Sequence, residues 1–115
     1  QIAVMRWAEL QSNKYPELNL LFHIPNGSYK SKAQAGLFKA MGLKSGVPDL
    51  FLPFASNGFH GLFIEMKTTK GRASESQKWW IMELQKQGYL VKLAKGCEQA
   101  IEILKCYLEG NGEGV

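Results

Sequence analysis

Glu65 and Lys67 are the residues of this chain whose types and spacing most clearly allow chemistry. They lie in the apolar stretch 61–67 (GLFIEMK), which predicts a β-strand. Side chains two positions apart share one face of a strand, so both charged groups point the same way. Ile64 and Met66 point to the opposite face, which leaves the carboxylate and the ammonium group side by side.

Asp49, the only aspartate of the chain, is expected to join this pair. It opens the apolar stretch 49–54, which is predicted to form a hairpin with 61–67 through the turn at 56–58. No other Lys, Arg, Asp or Glu lies between Asp49 and Glu65. A carboxylate beside a buried strand needs a partner, because burying an unpaired charge is costly. The three charged groups are therefore predicted to converge at one end of a sheet.

Two carboxylates and a lysine favour metal-assisted chemistry. Carboxylate oxygens suit Mg²⁺, which usually keeps several waters and takes one or two protein carboxylates plus a substrate phosphate. A lysine beside such an ion can orient or deprotonate a water, or stabilise charge on the phosphate. The cluster thus predicts hydrolysis of a phosphodiester. From the residues alone, the alternative is a surface salt bridge near the hairpin.

The elements that must position these groups follow from hydrophobic periodicity and turn residues. They have the order α-β-α-β-β-α-β-α, which predicts an α/β fold with a small mixed central sheet flanked by helices. The predicted helices span 2–12, 30–41, a segment that Ser74 opens and Gly88 closes, and 97–108; the predicted strands span 18–24, 49–54, 61–67 and 89–94.

Two of the predicted helices carry specific expectations. The helix over 30–41 should face inward with Ala33, Leu37, Ala40 and Met41. In the helix after Ser74, the pair Ser74 and Gln77 fits the S-x-x-Q capping box. In that helix Trp80 should lie on the core stripe and Trp79 should point away from it.

Length and composition predict one globular domain. The 115 residues suit a single core, assigned to 1–109 with a flexible tail at 110–115. No apolar run approaches the ~20 residues of a membrane helix, so no membrane partner is expected. Two cysteines do not make a disulfide scaffold, which favours a cytoplasmic protein.

Charge is distributed unevenly along the chain. The net charge is +4, and no acidic residue lies between Glu17 and Asp49. Four lysines occupy that interval: Lys30, Lys32, Lys39 and Lys44. They form either a solvated helix face or a patch for DNA phosphates.

These motifs together resemble a known nuclease family. Pro48-Asp49, a spacer, and Glu65-Met66-Lys67 resemble the PD-(D/E)XK nuclease signature. The surrounding residues resemble the VRR-NUC (virus-type replication and repair nuclease) domain over about 9–108. The stretches that carry the likeness are 23–27 (HIPNG), 46–50 (GVPDL), 61–67 (GLFIEMK), Gln77 with Trp80, and Gly88-Tyr89.

The resemblance implies a restriction-endonuclease-like PD-(D/E)XK core and a metal site for Mg²⁺ or Mn²⁺. Asp49 and Glu65 would bind the ion together with the backbone carbonyl of Met66. Glu9, from the first helix, would be a further ligand, directly or through water. No small-molecule cofactor is implied.

The resemblance also implies roles in catalysis and in DNA binding. Lys67 would position or activate the attacking water, and Gln77 would lie near the site. Cleavage would leave a 5′-phosphate and a 3′-hydroxyl. The expected DNA-binding set is Asn26, Lys30, Lys32, Lys39, Lys44, Lys70 and Arg72.

Standalone members of the family are common in phages and bacteria. The resemblance to them implies a small homodimer that cuts branched DNA such as four-way (Holliday) junctions. The chain is therefore expected to be a homodimeric endonuclease for such DNA, of the phage or bacterial type, with Trp79 and the 2–12 helix as candidate dimer contacts. Two alternatives stay open: a non-catalytic structure-specific DNA-binding module, and a flap or exonuclease type of the same superfamily.

Overall fold

The computed structural model describes residues 1–25 and 31–110 of the chain. In chain order the elements are α1 (Ile2–Leu10), a 3-10 helix (Pro16–Leu20), β1 (Phe22–His23), α2 (Lys32–Ala40), β2 (Leu50–Leu52), β3 (Leu62–Lys67), α3 (Glu75–Lys86), β4 (Leu90–Lys95) and α4 (Cys97–Leu108). This confirms the predicted α/β fold and the predicted order of helices and strands.

The four strands form one mixed sheet in the order β1-β2-β3-β4. β2 and β3 are antiparallel, with Leu50 opposite Ile64, which confirms the predicted hairpin. β3 and β4 are parallel, with Glu65 opposite Leu93. Parallel neighbours need a crossover connection, and α3 provides it. The start of α3 therefore lies next to the end of β3.

The core lies between one face of the sheet and the helices α1 and α4. The fully buried strand residues Leu50, Leu52, Leu62, Ile64 and Ala94 share one cluster with Val4 and Ala8 of α1 and Ala100, Leu104 and Tyr107 of α4. Burying each large aliphatic side chain contributes about 1.5–3 kcal/mol to the free energy of folding. Because side chains alternate along β3, Glu65 and Lys67 point to the opposite face, the face that α3 covers.

The prediction of a strand over 18–24 is wrong for most of its length. Pro16 begins the 3-10 helix, because its fixed φ suits a first helical position. The Asn19 side chain donates to the Pro16 carbonyl at 3.0 Å and closes the turn. The buried residues Leu18 and Leu21 are three apart, which matches the 3-10 period rather than the strand period of two.

The prediction of the inward face of α2 is also wrong. Leu37 and Met41 are 58% and 67% exposed, and no residue of α2 is buried. Ala33 and Ala40 are exposed as well, and Ala35 and Phe38 are half-buried instead. Apolar side chains lie on more than one side of this helix, so periodicity does not select the face that packs inward. The helix begins after Ser31, whose Oγ accepts from the Gln34 N–H.

The predicted capping box at the start of α3 is present. The Ser74 hydroxyl accepts from the Gln77 N–H, and the Gln77 side chain accepts from the Ser74 N–H. Trp79 is 56% exposed, as predicted, and Trp80 is half-buried. The Trp80 Nε1–H donates to the Ser45 carbonyl at 3.1 Å, which ties α3 to the loop before Asp49.

Cys97 and Cys106 are free thiols. Among the described residues, no helix combines the length and the apolar character needed to cross a membrane.

Candidate metal and catalytic site

Four side chains meet where β2 begins, β3 ends and α3 begins. Asp49 directly precedes β2, Glu65 and Lys67 lie on β3, and Gln77 lies in the first turn of α3. The hairpin register places Leu50 opposite Ile64, so Asp49 lies level with Glu65. Sheet pairing and the α3 crossover thus bring together residues that are distant in sequence.

Asp49 is half-buried and is held from both sides. Its Oδ2 accepts from the Met66 N–H at 2.8 Å, just beyond the last β2–β3 pair. Its backbone carbonyl accepts from the Ile24 N–H at 2.7 Å and lies 3.1 Å from His23 Nδ1. The contact with His23 was not predicted, because it depends on the register between β1 and β2, which the sequence alone does not give.

Glu65 is the one buried charged residue of the described chain, with 1% of its surface exposed. Its Oε1 accepts from Gln77 Nε2 at 2.5 Å, whereas its buried Oε2 has no hydrogen-bond partner. Burial, followed by the neighbouring Asp49 carboxylate, raises the pKa of Glu65 from 4.5 to about 8, and Lys67 opposes this rise. Two carboxylates held this close disfavour full ionisation unless a cation lies beside them.

Lys67 is oriented by Gln77. Its Nζ donates to Gln77 Oε1 at 2.6 Å and lies 3.8 Å from Glu65 Oε1. The same Gln77 Oε1 accepts from the Ser74 N–H at 2.8 Å. Gln77 therefore contacts both charged residues of β3 while it caps α3.

The donor set fits a divalent cation. Glu65 Oε2 is buried and no N–H or O–H group donates to it. The Asp49 carboxylate is near enough to Glu65 to raise its pKa, so the site holds two neighbouring carboxylates. Mg²⁺ and Mn²⁺ bind hard carboxylate oxygens of this kind. A cation there would favour the ionised form of Glu65, against the burial and the Asp49 carboxylate that raise its pKa.

The structure does not bring Glu9 to this pair. Glu9 is exposed on α1 and lines a groove with Arg6 and Asn19. Among the described residues, no three His, Cys, Asp or Glu side chains lie together in a way that could hold a metal ion. The first-helix ligand remains a prediction without support from this geometry.

The predicted DNA-binding residues fall into two groups around the site. Lys39 and Lys44 line one cleft together with Ser45, and Lys32 is exposed at the start of α2. Lys70 and Arg72 are exposed in the loop between β3 and α3. Asn26 and Lys30 lie outside the described residues.

Gly46 is a positioning element that the sequence analysis did not single out. Its φ is +91°, and a Cβ atom there would lie 2.8 Å from the backbone carbon of Ser76. Only glycine combines this φ with so close an approach to α3. The glycine three residues before Asp49 was a signal that could have been read as such a contact.

Comparison with known proteins agrees with this geometry. The model of the VRR-NUC domain matches residues 1–98. A solved structure described as "VRR_NUC domain protein" is 35% identical, with a TM-score of 0.81 over 96% of this chain and 85% of that chain. No curated protein matches significantly. The chain belongs to the VRR-NUC family and is thus a nuclease-type DNA-binding domain.

Proposed function

We propose that this protein is a divalent-metal-dependent DNA endonuclease that hydrolyses phosphodiester bonds in branched DNA, with four-way junctions as its main substrate. The observation that carries the proposal is the buried, partnerless Glu65 Oε2 beside Asp49, with the Lys67 ammonium group held on the same face. Family membership supports the reaction class.

Asp49, Glu65 and the Met66 carbonyl would hold the ion, as Mg²⁺ or Mn²⁺. The Met66 N–H points towards Asp49, and in a strand the carbonyl of a residue points to the same edge as its N–H. That direction supports the carbonyl as a third ligand. A bound ion would supply Lewis acidity and neutralise charge on the phosphate.

Lys67 would act on the attacking water or on the scissile phosphate. An ammonium group has three N–H donors, and Gln77 Oε1 takes one of them. The side chain is 16% exposed, so its remaining donors reach the edge of the site while its stem is packed. Donors held in place at a developing negative charge stabilise a transition state without reorganising.

The basic residues would hold the DNA backbone around this centre. Lys70 and Arg72 lie in the loop after β3, and Lys39 and Lys44 form a second group that lines the cleft beside α2. Phosphate contacts release counterions, so binding should weaken steeply as salt concentration rises. Such contacts position DNA without reading its sequence, which suits recognition of a branched shape.

Cleavage of labelled linear, flap, splayed and four-way DNA in Mg²⁺ and in Mn²⁺ tests the proposal. Asp49→Asn should abolish cleavage, because it removes ligand charge, while DNA binding in EDTA persists. Glu75→Gln is the matched control, since Glu75 is an exposed carboxylate of α3 that pairs with Lys78. Cleavage by Asp49→Asn at the wild-type rate would refute the metal site, and a preference for flap ends would favour a flap or exonuclease type.

Single-turnover rates test the role of Lys67. Lys67→Ala should lower the rate by at least ~10²-fold at saturating metal. Lys78→Ala removes an exposed lysine and should leave the rate unchanged. A Lys67→Ala protein that reaches the wild-type rate at high Mg²⁺ would show that Lys67 is structural.

Junction resolution needs two cuts, and a two-fold symmetric dimer would supply two sites. The exposed side chains of Trp79 (56%), Ile2 (76%) and Leu10 (79%) support a partner surface on these elements. Light scattering should give a homodimer, and dimers mixed with Asp49→Asn subunits should nick one strand only. A monomer on junction DNA would refute paired cutting but leave the nuclease chemistry intact.

A further inference from the structure

We infer that Ser74 is a positioning residue of the site. Its backbone N–H, as part of the capping box of α3, fixes the Gln77 amide. That amide orients Lys67 and determines which oxygen of Glu65 faces the metal. The inference rests on the proposed function, because it gives the cap a role in catalysis. It adds a role for Ser74, which touches neither carboxylate.

The orientation of the Gln77 amide follows from its partners. The Ser74 N–H and the Lys67 ammonium group can only donate, at 2.8 and 2.6 Å. The atom they share must therefore be the amide oxygen. The amide NH₂ then faces Glu65, whose Oε1 accepts from it. In a flipped amide, the NH₂ group would face the Ser74 N–H and the Lys67 ammonium group, and the amide oxygen would face the Glu65 carboxylate.

Of the two donors to the Gln77 amide oxygen, the Ser74 N–H is the rigid one. Lys67 reaches Gln77 at the end of a flexible side chain, whereas the Ser74 N–H belongs to the backbone at the first turn of α3. Ser74 also holds the Gln77 backbone, because its Oγ accepts from the Gln77 N–H at 3.3 Å. Both ends of the Gln77 residue are thus tied to Ser74, which restricts a side chain that would otherwise have several rotamers.

The consequence appears at Glu65. Because Gln77 Nε2 occupies Oε1, Oε2 is the oxygen without a hydrogen-bond partner. The cap therefore leaves Oε2 for the cation and holds the Lys67 ammonium group against Gln77, 3.8 Å from Oε1. Residues that orient metal ligands in this way often change metal affinity or activity by 10- to 100-fold when replaced.

Three substitutions separate the contacts of Ser74. Ser74→Thr keeps the N–H and the hydroxyl and serves as the conservative rescue. Ser74→Ala removes only the hydroxyl. Ser74→Pro removes both, while its ring suits the observed φ of −72°. Ser31→Ala is the matched control, because Ser31 caps α2 by the same contact, from Gln34 N–H to Oγ at 3.1 Å, without touching the site.

Two readouts are independent of cleavage. In ¹⁵N spectra, the Gln77 side-chain amide should give dispersed, slowly exchanging signals in wild type and Ser74→Thr, and signals near those of free glutamine in Ser74→Pro. Calorimetry with Ca²⁺ should show binding about 10-fold weaker in Ser74→Pro. Single-turnover cleavage in saturating Mg²⁺ should fall by about 10- to 100-fold in Ser74→Pro and less in Ser74→Ala.

Gln77→Glu provides a second variant that does not depend on the folding of Ser74→Pro. It keeps the capping box and the acceptor for Lys67 but replaces the donor to Glu65 with an oxygen, so Ca²⁺ binding should change although the cap persists. Unchanged Gln77 signals and wild-type Ca²⁺ affinity in folded Ser74→Pro, or unchanged Ca²⁺ affinity in Gln77→Glu, would overturn the inference. A wild-type protein that cleaves no DNA would refute the proposed function alone, and the amide signals would still decide this inference.

Discussion

Replacing Glu65 by glutamine should stabilise the metal-free protein, and the gain should grow with pH. The pKa of Glu65 in the folded protein is raised from 4.5 to about 8 by burial and by Asp49. Between these two values the folded state binds more protons than the unfolded state, so the free energy of unfolding falls as pH rises. Glutamine cannot ionise, and it can still accept from Gln77 Nε2 while its NH₂ faces Asp49.

The size of the effect follows from the pKa. A rise in pKa from 4.5 to about 8 corresponds to about 5 kcal/mol once both states are fully ionised. At pH 7 the folded state is still mostly protonated, and the penalty is about 3 kcal/mol. Near pH 4.5 it vanishes. The difference between Glu65→Gln and wild type should therefore rise from near zero at pH 4.5 to several kcal/mol at pH 8.

Urea denaturation in EDTA, followed by tryptophan fluorescence from pH 4.5 to 9, measures this difference. Groups remote from Glu65 titrate alike in both proteins, so their contributions cancel. Glu75→Gln is the control for the loss of a carboxylate, because that side chain is exposed. A Glu65→Gln gain that is flat across this range, or a wild type that is more stable at pH 8, would refute the reasoning.

Three further predictions concern metal, backbone and core. Mg²⁺ should raise the melting temperature of wild type more at pH 8 than at pH 6, because Glu65 must lose its proton to bind the ion; equal shifts would contradict this. Gly46→Ala should cost about 1–3 kcal/mol in urea denaturation, because its φ is +91° and a Cβ would meet Ser76. Tyr107→Phe should lower the free energy of unfolding by about 1–2 kcal/mol in thermal denaturation, because the Tyr107 hydroxyl donates to the Phe54 carbonyl at 2.6 Å. An unchanged free energy of unfolding would show that water replaces this hydrogen bond.

The parts of the fold that local patterns determine could be predicted. The capping box at Ser74 and the hairpin before Glu65 depend on residues close in sequence, and both are present. The face of α2 could not be predicted, because Leu37 and Phe38 are both apolar and only tertiary contacts decide between them. The 3-10 helix was missed because LNLLFHI was interpreted as a strand, although Pro16 was a signal for a helical turn.

The site likewise has features that local patterns predict and features that they do not. Alternation along β3 places Glu65 and Lys67 on one face, and the hairpin brings Asp49 level with them, as the spacing indicates. The bond from the Met66 N–H to Asp49 and the double contact of Gln77 depend on where strands end and how the crossover returns. No single-sequence pattern encodes these distances, so the roles assigned to the residues remain predictions.

The position of α4 matters for anyone who shortens this protein. The family match ends at residue 98, the second residue of α4, yet Ala100, Leu104 and Tyr107 lie beyond that point with no exposed surface. Removing them would expose to solvent the face of the sheet that Ile64 occupies and the side of α1 that packs against α4. A version trimmed to the matched region should therefore express as aggregated material, whereas one that ends near residue 110 keeps all the core side chains found among the described residues.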